Sequence, residues 1–163
     1  MMEPRIAISA VVAMTTILFL GSSNAIAQNT FNEADFRIKD FGVKDGTPWL
    51  SVEGKAREST PENASQIYAY AFVTDKGIYA VASHGVEDSA EVENDTEWHS
   101  HGVTLDENNC VSKLNDDGDA EVNDMVKVTN VTVTKVDKVM TAQLGINNAD
   151  ASVCVEKVID FAP

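Results

Sequence analysis

Beyond residue 27 the apolar residues of this chain do not recur at helical spacing. They alternate in short runs between turn residues, which is the signature of strands. The pattern predicts strands over residues 36–43, 49–56, 97–105, 110–114, 139–146 and 152–161, with a longer Val- and Thr-rich stretch over 122–136. Its apolar phase slips near Asn130 and Lys135, so that stretch is expected to hold bulges or a break. Turn residues separate the runs: Lys44-Asp45-Gly46-Thr47-Pro48, Asp106-Glu107-Asn108-Asn109, Asn115-Asp116-Asp117-Gly118-Asp119 and Asn147-Asn148-Ala149-Asp150. Residues 58–64 read as a loop. About eight strands with short connections imply an all-β fold. Either an antiparallel β-sandwich of Ig-like or Greek-key type or a small barrel satisfies that pattern.

The clearest element spans residues 67–86, where two apolar, aromatic-rich runs flank Asp75-Lys76-Gly77. A three-residue loop ending in Gly is expected, because Gly takes the left-handed position at little cost. That loop pairs Thr74 with Ile78 and sets Tyr70 opposite Ala82 and Tyr68 opposite His84. One face would then carry Tyr68, Tyr70, Phe72, Ala80, Ala82 and His84, and the other Ile67, Ala69, Ala71, Val73, Tyr79 and Val81. Both faces are apolar, so the hairpin is expected at the centre of its sheet.

The N-terminus reads differently. Arg5 gives a positive start, residues 6–20 are apolar, Gly21-Ser22-Ser23-Asn24 breaks the run, and Ala25-Ile26-Ala27 fits the small-x-small pattern of a signal-peptidase site. The run is shorter than the ~20 residues of a membrane-spanning helix. Residues 1–27 are therefore expected to be a cleaved signal peptide and residues 28–163 a single acidic β-domain, extracellular or at the cell surface, with no other membrane segment. The alternative is an uncleaved N-terminal anchor.

The formal net charge of −14 at pH 7 lies wholly in residues 28–163, because Glu3 and Arg5 cancel within the signal. So acidic a surface repels nucleic acid and anionic membranes, and it suits solubility, cations or basic partners. The chain has two cysteines. In an exported protein they are expected to pair, Cys110 with Cys154. Free thiols, one of them a copper ligand, are the alternative. Asn63, Asn94 and Asn130 each open a glycosylation triplet.

Chemistry-bearing motifs are few. His99-Ser100-His101 lies in a predicted strand, where residues two apart face the same way. The two imidazoles would then project side by side, on the face that holds Val103 and Leu105, and could reach one ion. His84 ends the preceding strand and is a candidate third ligand. Asp106 and Glu107 are candidates for an oxygen ligand or for a hydrogen bond that orients the histidines. Asn115-Asp116-Asp117-Gly118-Asp119 partly matches a calcium loop, but it lacks Gly at the sixth position and has Val126 at the twelfth; a β-turn is the better reading. Residues 87–97 carry six acids and read as a solvated loop. Trp49 and Trp98 read as packing residues. No serine sits in a nucleophile-elbow pattern.

His99-x-His101, the eight residues that follow, Cys110 and a second cysteine near the C-terminus are together similar to copper/zinc superoxide dismutase. That resemblance implies a β-sandwich whose disulfide ties a loop to the last strand. The family's further histidines are missing, since none follows His101, so the resemblance does not carry dismutase activity. His99-x-His101 with Asp106 and Glu107 also faintly resembles a cupin motif, without its glycines or later histidine. Sequence alone thus favours a secreted or cell-surface acidic β-domain with a structural or interaction role and no enzymatic chemistry. The alternative is an exported transition-metal protein, with copper or zinc as the candidate ion on His99, His101 and His84.

Overall fold

The computed structural model describes residues 31–61, 65–84 and 97–163. The expected signal peptide, the acidic loop 87–95 and the acceptor residues Asn63 and Asn94 lie outside them. Ten strands are present: β1 (Ile38–Lys44), β2 (Thr47–Val52), β3 (Gln66–Thr74), β4 (Gly77–His84), β5 (His99–Leu105), β6 (Val111–Asn115), β7 (Asp119–Val122), β8 (Val126–Thr129), β9 (Val136–Ile146) and β10 (Val153–Ala162). They form two antiparallel sheets, in the orders β1-β2-β8-β7 and β10-β9-β3-β4-β5-β6. The β-sandwich is therefore as expected. Among the described residues the strands number ten rather than about eight, partly because the expected 122–136 strand is broken. The Asn123 side chain accepts a hydrogen bond from the Met125 amide at 3.2 Å and turns the chain between β7 and β8. Asn130, at φ +59°, breaks it again. Among the described residues no helix is long and apolar enough to cross a membrane.

The main core lies between the sheets. Tyr68, Tyr70, Phe72, Val81 and Val139 of the larger sheet pack against Leu50, Val52, Val126 and Val128 of the smaller. Phe36 stacks on Tyr70 with ring centroids 5.1 Å apart, and Trp98 closes on Tyr70 at the same separation. Trp98 is thus a packing residue. Two bonds cross the layers: the Thr141 hydroxyl donates to the Phe36 carbonyl at 2.7 Å, a buried contact, and the half-buried Asp160 carboxylate accepts from the Ile38 amide at 2.7 Å.

The hairpin is central in its sheet, as its two apolar faces require, but its register differs from the expected one by a residue. Thr74 pairs with Gly77, not Ile78, across a two-residue loop, Asp75-Lys76. The Thr74 hydroxyl accepts from the Lys76 amide at 3.0 Å and donates to the Gly77 carbonyl at 2.9 Å, which tightens the turn. Gly77 takes φ +128°, a value that side chains disfavour. A one-residue slip exchanges the faces of the second strand. Tyr79, Val81 and Ser83 therefore join the aromatic face, while Ile78, Ala80, Ala82 and His84 join Ile67, Ala69, Ala71 and Val73.

That second face is also enclosed. β6 and β10 are the two edges of the larger sheet, yet they meet. Cys110 bridges Cys154, the Val155 amide donates to the Asn109 carbonyl at 3.1 Å, and a disulfide joins the two cysteines, whose Cα atoms are 3.9 Å apart. The sheet is curled, and its outer face becomes the wall of an apolar cup of about 430 Å³. Within it Ile67, Ala69 and Ala82 are buried and packed against Leu144, Ile146 and Val153.

Beside the sandwich, Asp35 organises the segment that leads into β1. It is 2% exposed. Its Oδ1 accepts from the Lys55 amide at 2.6 Å and the Asn32 amide side chain at 3.1 Å, and its Oδ2 accepts from the Ser59 hydroxyl at 2.6 Å. Gly54 lets this happen, since a Cβ there would lie 2.8 Å from the Ala34 carbonyl carbon. The Tyr70 hydroxyl donates to the Asp35 backbone carbonyl at 2.8 Å, and burial pushes its pKa far above the ordinary tyrosine value, so it stays a neutral donor.

Two stability predictions follow from these contacts. Asp35→Ala strands the Lys55 N–H and the Ser59 hydroxyl without their acceptor and should cost about 2–4 kcal/mol in urea unfolding. A loss below about 1 kcal/mol would mean that water replaces the carboxylate there. Replacing Cys110 and Cys154 together by Ala should lower stability by about 2–4 kcal/mol. If unfolding midpoints with and without reductant coincide, the bond does not tie the sheet edges.

Candidate metal centre

Three histidines converge on the cup wall. On β5, His99 pairs with Ala82 and His101 with Ala80, so both project from the face that Ala80 and Ala82 occupy. His84 pairs with Ile67 on the same face. The two-residue turn is what puts it there: in the expected register His84 would share the aromatic face and point away from the pair. His84 and His101 both line the cup, as do Val103 and Leu105 further along β5. The expected alignment of His99, His101, Val103 and Leu105 therefore holds.

One ring nitrogen from each histidine lies within 4.8 Å of the others. His84 Nε2 and His99 Nε2 are 2.9 Å apart, and the rings meet edge to face. His99 Nδ1 lies 3.0 Å from the Glu97 carbonyl oxygen. A carbonyl only accepts, so Nδ1 carries a proton and neutral His99 offers a bare Nε2. His84 Nε2 is then the N–H donor of the pair. An ion held here would bond to His84 Nε2, and the single ring proton of neutral His84 would pass from Nε2 to Nδ1. Bonds of about 2.0–2.1 Å at tetrahedral angles place ligand nitrogens about 3.3 Å apart, which is within small ring rotations of this arrangement. The Glu97 carbonyl acts as the orienting partner that metal-bound histidines characteristically have.

The acids behave differently from expectation. Asp106 lies five residues past His101 on an extended strand, about 16 Å along the chain. Its carboxylate accepts from the amides of Asn108 at 2.8 Å and Cys110 at 2.9 Å and shapes that turn. Asp106 and Glu107 are therefore not placed at the histidines. Asp116 is, with Oδ1 3.7 Å from His101 Nδ1. Sequence reasoning missed it, although the signal was the β5–β6 pairing: Asn115 sits opposite Gly102, so the next residue falls beside His101. Fully solvated, Asp116 contributes little as an ion pair, but it stands where an oxygen ligand is available. With both cysteines in the disulfide, sulfur ligation by thiolate is closed. Ser83 and Ser100 are buried on the opposite, core face, and Ser100 donates to the Asp117 carbonyl at 3.2 Å. Neither is positioned to form a nucleophile with these histidines.

No protein-family model, curated protein or solved structure matches the chain.

The hydrogen bond to Glu97 generates a spectroscopic prediction. In metal-free protein near neutral pH, nitrogen-15 spectra should show His99 protonated at Nδ1 and bare at Nε2, with His84 of opposite type. A proton on His99 Nε2 would invert the donor and acceptor roles argued for this pair.

Proposed function

We propose that this chain is an exported transition-metal-binding protein that holds one copper or zinc ion on His84, His99 and His101. The observation that carries the reading is the convergence of three imidazoles from two adjacent strands on one half-buried point. Three nitrogen ligands with a fourth position left for water, Asp116 or another small ligand suit copper(II) and zinc(II). The sequence alone leaned towards a structural role. The cluster now favours the metal reading, because sheet packing alone does not require three ring nitrogens to face one another inside an otherwise apolar wall. Export is supported by the disulfide and the expected signal peptide. The acidic surface argues against nucleic acid as a partner. A carrier, sensor or small redox protein fits this site better than a hydrolase.

The test is calorimetric titration of copper(II) and zinc(II) into the chain without a histidine tag, and into His99→Ala/His101→Ala. Wild type should bind one ion, and the double variant should bind it about 100-fold more weakly or worse. Protons compete with metal for imidazole, so affinity should fall from about pH 7.5 to about pH 5. Equal weak binding by both proteins would mean that ions merely coat an acidic surface. A weakening confined to the double variant, with His84→Ala unchanged, would reduce the site to the two β5 histidines.

A further inference from the structure

The cup itself calls for an occupant. We propose that it binds a single-chain amphiphile with a carboxylate head, the alkyl tail lying along the alanine floor and the head at Lys138. Its volume of about 430 Å³ is within the size of small-molecule cavities, about 300–1,000 Å³. It is elongated. Lys138 and Leu144, both lining residues on β9, are six residues apart, about 20 Å along the strand. The floor between them is apolar and narrow, made of Ala69, Ala71, Ala80, Ala82 and Ala142 with Met140. At one end Ile67 is buried with Ala69 and Ala82. The other is open: Leu114 and Phe161, which line it, are each 51% exposed.

Charge selects the head group. The chain carries 26 acidic residues against 12 basic ones. Yet among the described residues that line the cup there is no Asp or Glu, and the one fixed charge is the Lys138 ammonium. That ammonium stands at the open end, 6.0 Å from the centre of the Phe161 ring. A neutral or cationic amphiphile would find no counter-charge at the mouth, and a carboxylate would. The surrounding acidic surface repels anions in general, so an anion that settles here must be held by burial of its tail as well as by Lys138. This separates an amphiphile from a small polar anion. The inference needs no metal, because the tail runs past the histidines without requiring them.

The test uses the full chain, delipidated and metal-free, titrated with dodecanoate, dodecanol and dodecyltrimethylammonium. Dodecanoate should bind one to one and more tightly than the other two. Lys138→Glu, at an exposed position that leaves the fold intact, should weaken dodecanoate about five- to tenfold and leave dodecanol unchanged. Ala71→Phe should fill the cup and abolish binding while the circular dichroism spectrum is retained. Equal binding of the cationic amphiphile, or no effect of Lys138→Glu, would overturn the head-group assignment. Binding that survives in folded Ala71→Phe would place the ligand elsewhere and overturn the site. Sedimentation that shows a dimer, split by Phe161→Asp and indifferent to dodecanoate, would make the cup a contact between copies and overturn the proposal. A failed metal titration would leave each of these outcomes unaffected.

Discussion

The turn at Asp75-Lys76 sets the parity of the β3–β4 hairpin, and the rest of the molecule depends on that parity. Two residues in the loop, rather than three, pair Thr74 with Gly77 and decide which half of β4 faces the core. In the observed register the aromatic side chains of β3 meet Val81 and pack on the smaller sheet. The small side chains of both strands gather on the other face. A single inserted residue would drive Tyr79 and Val81 into the cup and His84 into the core. The Thr74 hydroxyl, bonded both to the Lys76 amide and to the Gly77 carbonyl, is the local contact that selects the shorter loop.

A sheet with two apolar faces must bury both. The smaller sheet covers one. For the other this chain uses curvature: the edge strands β6 and β10 are drawn together until Cys110 and Cys154 pair, and the disulfide holds them there. Closing a sheet also removes its exposed edges, which otherwise invite pairing with other chains. Expectation offered a sandwich or a small barrel as alternatives. The protein combines them, with one sheet of the sandwich bent towards a barrel. The register shifts within β10, between Val155 and Lys157 and between Val158 and Asp160, lie on the strand that completes the curl, where bulges increase bending and twist.

How much of this was readable in the chain depended on the range of the interaction involved. Alternation and turn residues placed most strand positions, because both act within a few residues. The pairing of Cys110 with Cys154 was readable from composition and compartment. The shared face of His99 and His101 was readable from a period of two. What escaped was set by pairing between strands. The parity of His84 turned on one loop residue, and the placing of Asp116 turned on the β5–β6 register. Asp106 looked close to His101 in sequence, but an extended strand carries it away and a local turn engages its carboxylate. The break in residues 122–136 was signalled by phase slips, yet the Asn123-Asp124 dipeptide that makes the first turn was passed over among so many polar residues.

The same construction explains why the histidines and the cup occur together. A metal ligand set needs imidazoles held at fixed separation, and a curled sheet supplies rigid neighbours at fixed strand spacing. His84 and His99 pair with Ile67 and Ala82 of the buried apolar cluster, and His101 lies two residues further along β5 beside Ala80. The hydrogen bond between His84 and His99 satisfies two ring nitrogens in the metal-free state, and an ion bound there would have to break it and shift the His84 proton from Nε2 to Nδ1. The backbone carbonyl at Glu97 fixes the tautomer of the His99 ring and with it the donor and acceptor roles of the pair. The acidic exterior acts at longer range and attracts cations towards the protein, and solvated Asp116 presents a carboxylate oxygen 3.7 Å from His101 Nδ1.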